Sequence, residues 1–151
     1  MVSATVIPRQ SGGITAITPE RLADALDQLN VRYICDADGA FVAMWERHAV
    51  LVALEGPADD ILVIRVRPHE TVPLEWAQRA YEAVNEWNHA RRFGKAYVGD
   101  ANGLGRLPIF AELQMPFGAG VHPALLVDVL KCAVVESRYF VDWLHDGGAL
   151  L

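Results

Sequence analysis

Histidine and cysteine most often carry catalysis or bind metals, and here they are scattered along the chain. The five histidines are His48, His69, His89, His122 and His145. They form neither an HExxH motif nor a pair four residues apart, so the spacing predicts no metal site. The two cysteines, Cys35 and Cys132, lack CxxC spacing and predict no disulfide. We expect both to be inert packing residues in apolar segments rather than partners of a histidine.

Two acidic stretches, residues 36–39 (DADG) and 100–103 (DANG), begin like calcium-binding loops. Both lack the glycine at the sixth place and the acid at the twelfth, so we interpret them as turns. Residues 103–105 (GLG) lack the third glycine and the following helix of a dinucleotide site, and no GxxxxGK[ST] motif occurs. The sequence therefore predicts no catalytic residues and no cofactor, and we expect that the protein is not an enzyme.

Length and composition narrow the class of protein further. The 151 residues fit one domain, with 52% hydrophobic and 21% charged residues and a net charge of -6. The only local basic cluster is Arg91, Arg92 and Lys95, which argues against nucleic acid as a partner. No apolar run approaches the roughly 20 residues of a membrane span, so we expect a cytoplasmic protein without membrane contact.

Hydrophobic periodicity predicts an α+β fold in which three helices pack on an antiparallel sheet of about six strands. The order is α-β-β-β-β-α-β-β-α, because four strands joined by short turns must be largely antiparallel. We expect a flexible lead-in at 1–17, with a short extended piece at 4–7, and a single domain at 18–151. The predicted helices are 19–29, with Thr18 as its N-cap, 74–93 and 122–145. The predicted strands are 31–35, 41–46, 49–55, 61–67, 96–99 and 107–115.

The middle helix has one polar residue on its apolar side. Its predicted buried stripe is Ala77, Ala80, Tyr81, Val84 and Trp87. Asn88 lies on the same side, and a buried amide needs partners, so we expect it to bond to the backbone of a neighbouring loop or strand rather than to a ligand. Gly94 is predicted to end the helix, and Pro108 predicts that the last strand lies at an edge or is irregular there.

The last helix is apolar around more of its circumference than one packed face requires. Leu125, Cys132, Tyr139 and Trp143 widen the predicted core stripe, which consists of Leu126, Val129, Leu130, Ala133, Ser137, Phe140, Val141 and Leu144. We therefore expect one side of this helix to cover the sheet and the other to meet a second subunit or a docked peptide. Together with Arg65 and Arg67, which point away from the apolar side of their strand, these residues form the expected partner or dimer surface.

Three segments resemble the YbjN family of bacterial proteins, labelled "putative sensory transduction regulator". They are YICDxDG at 33–39, VNEWNxxRRFxKAYV at 84–98 and FxxWL at 140–144, with Trp87, Asn88 and Tyr97 as a structural signature. The match covers about residues 18–145. The resemblance implies an α+β sandwich similar to type III secretion chaperones, which are cytoplasmic homodimers that bind partner proteins. It implies no enzyme activity or cofactor. The third and fourth strands depart from the pattern by being apolar on both faces, so the dimer mode can differ.

These observations favour a homodimeric, chaperone-like or regulatory adaptor module that binds an unidentified protein. The alternative is a small-ligand sensor with a pocket between sheet and helices, lined by Trp45, Tyr81 or Trp87. An enzyme is the third hypothesis. It requires a cleft that gathers a histidine or cysteine with a perturbed acid.

Overall fold

A computed structural model of the chain describes residues 13–151. The extended piece predicted at 4–7 and most of the predicted lead-in therefore lie outside the described residues. In chain order the elements are α1 (Pro19–Gln28), β1 (Ile34–Cys35), β2 (Phe41–Met44), β3 (His48–Glu55), β4 (Ile61–Pro68), β5 (Val72–Pro73), α2 (Ala77–Ala90), β6 (Lys95–Val98), β7 (Arg106–Leu107), β8 (Ile109–Pro116) and α3 (Pro123–His145). A 3₁₀ turn at Leu74–Trp76 precedes α2.

Six strands form one antiparallel sheet in the order β1-β2-β3-β4-β8-β6. This confirms the predicted α+β fold and element order. The irregularity predicted at Pro108 is also confirmed, because Pro108 separates β7 from β8. The short strand β7 leaves the main sheet and pairs with β5, which the sequence did not predict. A strand of two residues carries too little periodicity to be recognised.

The first helix begins as predicted, since the hydroxyl of Thr18 accepts the N–H of Arg21 at 3.2 Å. Its end explains why the predicted strand at 31–35 is reduced to two residues. Asn30 adopts a left-handed φ of 55°, and the N–H of Val31 donates to the carbonyl of Leu26. This Schellman-type stop occupies the residues that were expected to start the strand.

Two predictions about the middle helix are wrong. Tyr81 is 53% exposed, because the buried stripe is rotated toward Ala83 and comprises Ala80, Ala83, Val84 and Trp87. Gly94 does not cap the helix, which ends at Ala90 where Arg91 turns extended. The φ of +73° at Gly94 instead serves the turn into β6.

The helices pack on one face of the sheet, and α3 lies against the middle strands β3, β4 and β8. Its buried residues are those of the predicted core stripe: Leu126, Val129, Leu130, Ala133, Ser137, Phe140, Val141 and Leu144. The ring of Phe140 meets that of Trp87 edge-on at a centroid distance of 5.1 Å, which joins α3 to α2 in one core. None of the helices within 13–151 has the length and apolarity needed to cross a membrane.

Candidate binding surface on the open sheet face

The strand register places one continuous row of side chains on the sheet face that the helices leave open. Paired residues stand side by side on the same face of an antiparallel sheet. The row crosses all six strands and runs Ile34, Val42, Leu51, Arg65, Glu112, Lys95. Its first half is aliphatic and its second half is charged, so the open face has an apolar side and a polar side.

The apolar side of this face departs from the usual pattern of a half-covered sheet. Antiparallel strands with one solvated face normally alternate apolar inward and polar outward. Here the outward residues of β2 and β3, apart from Glu55 at the end of β3, are also apolar, and Met44 is 61% exposed while Ile34 on β1 is 67% exposed. Solvent-exposed apolar side chains that stand together on a sheet are typical of a surface that another molecule covers.

A depression of about 420 Å³ lies where the two sides of the face meet. It is lined by Val42, Ala49, Leu51, Arg65, Arg67, Tyr97 and Phe110. Aliphatic, aromatic and cationic side chains therefore converge on one concave site. Arg65 and Arg67, predicted from strand alternation to lie on the open face, both contribute to it, and so does Tyr97.

A hydrogen-bonded network fixes the charged side of the depression. Arg65 Nε donates to Glu112 Oε2 at 2.6 Å, and the Tyr97 hydroxyl donates to the same oxygen at 2.9 Å. Gln114 Nε2 donates to the other carboxylate oxygen at 2.6 Å. Partial burial alone would raise the pKa of Glu112, but these bonds, that of Arg65 first, bring it below its ordinary value. The pKa of Tyr97 is raised, by desolvation first and by its bond to Glu112.

Two cations of the open face are not used by this network. Arg67 and Lys95 are exposed, and neither forms a salt bridge within the described residues, where the ion pairs are Arg65–Glu112 and Arg47–Asp142. The other acid on this face, Glu55, lies four residues along β3 from Leu51, about 13 Å away at 3.3 Å per residue. The surroundings of the depression are therefore locally positive.

Both edges of the sheet are poorly suited to pairing with another strand. At the β6 edge the Asn88 amide donates to the Ala96 carbonyl at 3.0 Å and accepts the Ala96 N–H at 2.7 Å. This confirms the predicted structural role of Asn88, and it occupies the outward backbone groups of the edge strand. At the other edge β1 has only two residues. The open face, and not an edge, is the part of the sheet that remains accessible.

The outer side of α3 is a second exposed surface. Leu125, Cys132 and Tyr139 follow one another at intervals of seven residues and are all exposed. Trp143 behaves differently, because it is half-buried and its ring lies 5.5 Å from that of Trp87. The three exposed residues form what we call the α3 outer stripe, and Trp143 belongs to the edge of the core.

The cysteines are placed differently from their predicted packing role. Both Cys35 and Cys132 are exposed free thiols. Cys35 is exposed because β1 is a short edge strand and not the apolar interior strand that was predicted. Cys132 is exposed because it lies on the outer side of α3, away from the sheet.

One buried pair has residue types that could suggest catalysis. His48 is 4% exposed, and its Nε2 lies 3.0 Å from the Ser137 hydroxyl oxygen. That hydroxyl donates to the Val134 carbonyl at 2.7 Å, so the serine accepts from histidine and is not activated as a nucleophile. Desolvation by burial, followed by repulsion from His69 and Arg138, lowers the pKa of His48 to about 4. Within 13–151, no three histidine, cysteine or acidic side chains are grouped as metal ligands.

The core between the sheet and helices α2 and α3 leaves little room for the ligand pocket that was considered between sheet and helices, and a larger cavity of about 560 Å³ lies beside the start of α1. The cavity in this core, lined by Trp87 among others, has a volume of about 20 Å³, close to the space for one water molecule. Trp45 lies elsewhere, stacked on His48 at a centroid distance of 5.1 Å. With Arg138 and Tyr139 these two residues line a groove of about 220 Å³ beside α3.

The fold and this surface define a class, an α+β domain with one sheet face packed by helices and one left open. The chain belongs to the YbjN family, described as "Putative bacterial sensory transduction regulator", whose model matches residues 18–146. This confirms the resemblance carried by the three sequence segments. No protein of curated function matches the chain significantly.

The fold is also similar to a solved crystal structure, that of YbjN from E. coli, described as a putative transcription regulator. The TM-score is 0.76 at 14% sequence identity, over 92% of this chain and 99% of that one. At that identity the likeness concerns the fold alone.

Proposed function

We propose that this protein is a non-enzymatic, cytoplasmic regulatory module that acts as a homodimer and binds another protein through its open sheet face. The observation that carries the proposal is the uncovered apolar half of that face. Burying a Val, Leu, Ile or Met side chain contributes about 1.5–3 kcal/mol. Ile34 and Met44, which are 67% and 61% exposed, therefore offer a partner a hydrophobic gain that the isolated domain leaves unused, and the partly buried Val42 and Leu51 add a smaller part.

The size of the face suits a protein partner. Five inter-strand spacings of about 4.8 Å give a width of roughly 24 Å, and the three strands of eight residues, β3, β4 and β8, have a length of roughly 26 Å. The other three strands are shorter, so the flat area of the sheet is roughly 500 Å². A typical protein interface buries about 800 Å² per partner, and side chains add to the flat area, so the two are of the same order.

The α3 outer stripe supports self-association. Leu125, Cys132 and Tyr139 recur every seven residues, and such a spacing keeps apolar residues on one side of a helix that packs against another helix. A second copy of the chain on this stripe would leave the open sheet face of both copies available. The homodimer and the partner site then use different surfaces.

The alternative function, a small-ligand sensor, would use the groove of about 220 Å³ between Trp45 and Tyr139. This groove shares Trp45, His48 and Arg138 with a wider cleft of about 630 Å³, and both are open at the surface, whereas an ordinary ligand pocket buries most of its ligand. The open sheet face is larger and more apolar, so protein binding is the better-supported function.

Photo-crosslinking in the native host tests the protein-binding function. A photoreactive phenylalanine analogue at Leu51 should give a discrete crosslinked species in which mass spectrometry identifies one copy of this chain and a different protein. The matched control is the same analogue at Gln78, which is exposed on α2. Equal products from both positions, or none from Leu51, would contradict the proposal.

Light scattering tests the homodimer separately. The purified protein should have twice the 16.6 kDa mass of one chain. Tyr139→Asp should halve that mass, whereas Gln78→Asp should leave it unchanged. A monomer at every concentration would remove the homodimer from the proposal without affecting the crosslinking result.

A further inference from the structure

Building on the proposed function, we infer that the partner contributes a short segment with apolar residues at one end and carboxylates at the other. Apolar residues of this segment would lie over Val42 and Leu51, and its carboxylates would face Arg67 and Lys95. The inference rests on the order of side chains across the open face and on the charges that the face leaves unpaired.

The order of side chains across the open face determines which end of the segment is apolar and which end is charged. The row from Ile34 to Lys95 changes from aliphatic to charged between Leu51 and Arg65. It crosses six strands, about 24 Å, which an extended chain of seven or eight residues spans. A segment lying across the strands would therefore meet apolar side chains first, then Arg65 and Glu112, which are bonded to each other, and the unpaired cation Lys95 last.

The unpaired cations of the open face determine the sign of the charge on the segment. The whole chain carries a net charge of -6, yet the depression is lined by Arg65 and Arg67, and Lys95 lies two residues along β6 from the lining residue Tyr97, beside Glu112. Arg65 is committed to Glu112 at 2.6 Å. Arg67 and Lys95 remain as exposed cations, and carboxylates are their complementary ligands.

A second copy of the chain suits this face poorly. If two open faces met with their charged halves together, Arg67 and Lys95 would approach the same cations of the other copy. If each charged half met an apolar half, those cations would be buried without counter-charges, which is costly. Neither arrangement uses the unpaired cations, whereas an acidic segment does.

A nucleic acid is also a poor match. Half of the row is aliphatic, and the aromatic pair on this face, Tyr97 and Phe110, stacks on itself at a centroid distance of 5.2 Å. Bases would lack an unoccupied aromatic platform there. Two unpaired cations are also fewer than the six to ten phosphate contacts of a typical nucleic-acid interface.

Fluorescence anisotropy with three labelled eight-residue peptides tests the inference on the full chain. The first probe has four alternating leucines and valines followed by four glutamates, the second has lysines in place of the glutamates, and the third has eight glutamates. The first should bind at least tenfold more tightly than either of the others. Its affinity should also fall between 50 and 300 mM salt, because exposed ion pairs are screened.

Charge reversal on the protein provides the matched variants. Arg67→Glu with Lys95→Glu should weaken the first peptide at least tenfold. Arg79→Glu with Lys131→Glu changes the net charge equally at exposed positions on the helical side, and it should leave that affinity within about twofold. Thermal unfolding of both variants establishes that they are folded.

Several outcomes would overturn the inference. The lysine peptide or the all-glutamate peptide could bind as tightly as the first peptide, or the first peptide could fail to bind at 1 mM. The first peptide could also bind the variant with Arg67→Glu and Lys95→Glu as tightly as it binds the wild type. A crosslink from Leu51 combined with any of these would mean that a protein docks there with different chemistry. If Leu51→Asp separated the homodimer, the face would belong to the second copy and the inference would be wrong.

Discussion

The two faces of strand β3 carry similar side chains and have different surroundings. Val50 and Val52 point inward and are buried under α3, whereas Ala49 and Leu51 point outward and are covered by no helix. The strand is therefore apolar on both faces, although packing requires only one. Apolar side chains on the inner face stabilise the domain, and those on the outer face belong to the surface that we propose for partner binding. Composition alone therefore does not separate these two uses.

The largest predicted effect contrasts neighbours on α3. Phe140 is 1% exposed and contacts Trp87, whereas Tyr139 on the outer stripe is 56% exposed. Phe140→Ala should lower the free energy of unfolding by about 3–5 kcal/mol, because it removes a buried ring and leaves a cavity. Tyr139→Ala should lower it by less than about 1 kcal/mol in the monomer. Urea unfolding at low protein concentration measures both.

Equal losses of unfolding free energy in the two variants would contradict this prediction. A large loss for Tyr139→Ala that disappears on dilution would instead locate the effect in the homodimer, since oligomerisation couples stability to protein concentration. The concentration series therefore separates packing within one chain from packing between two.

The next effect concerns the ionisable group buried on the packed face. The pKa of His48 is about 4, against an ordinary value of 6.5, so the folded state binds its proton less readily than the unfolded state. The resulting loss of folding stability is absent above pH 6.5 and grows as the pH falls from 6.5 toward 4. The 2.5-unit difference corresponds to at most about 3 kcal/mol of stability lost at the acid end.

Urea unfolding between pH 7.5 and 4 measures this loss. His48→Gln is the matched variant, because its amide can still donate to Ser137 but does not titrate in this range. The wild type should lose more stability than the variant over this interval. Parallel curves for the two proteins would contradict the assignment of the acid sensitivity to His48.

The sequence predicted the packed part of the molecule well because packing leaves a periodic signal. Every residue of the predicted α3 core stripe is buried, and Thr18 caps α1 as expected. Asn88 could be interpreted correctly because a polar residue on an apolar stripe requires partners, and the backbone of the following strand is within reach.

The wrong predictions have physical causes that cannot be seen in a single sequence. Tyr81 and Ala83 both fit a helical stripe containing Val84, and only the neighbouring elements decide which of them is buried. Gly94 lies beyond the end of the helix, which already ends at Ala90. Cys35 lies in a segment that resembles an interior strand, but the stop at Asn30 leaves only two paired residues at the sheet edge.

The open face was only partly predictable. Alternation placed Arg65 and Arg67 together, and the apolar character of β3 on both faces was visible in its sequence. The contributions of Phe110, Tyr97 and Val42 required the register, because these residues lie on strands far apart in the chain. The tertiary fold determines which face of the sheet α3 covers, and the local sequence carries no signal for this choice.

The smallest predicted effect concerns the charged pair on the open face. Glu112→Gln keeps an acceptor for Arg65 and Tyr97 and should lower the free energy of unfolding by no more than about 1 kcal/mol at pH 7, because a partly exposed ion pair contributes little. The pKa of Glu112 is depressed, so its contribution is present above the ordinary value of 4.5 and is lost as the pH falls through the depressed value. The difference between wild type and variant should therefore persist from pH 7 to 5, where His48 already weakens both proteins, and shrink only at more acidic pH. A difference that vanished between pH 6.5 and 5 would mean that the two faces are coupled through the sheet. A persistent difference would show that the open face can be altered without disturbing the packed one.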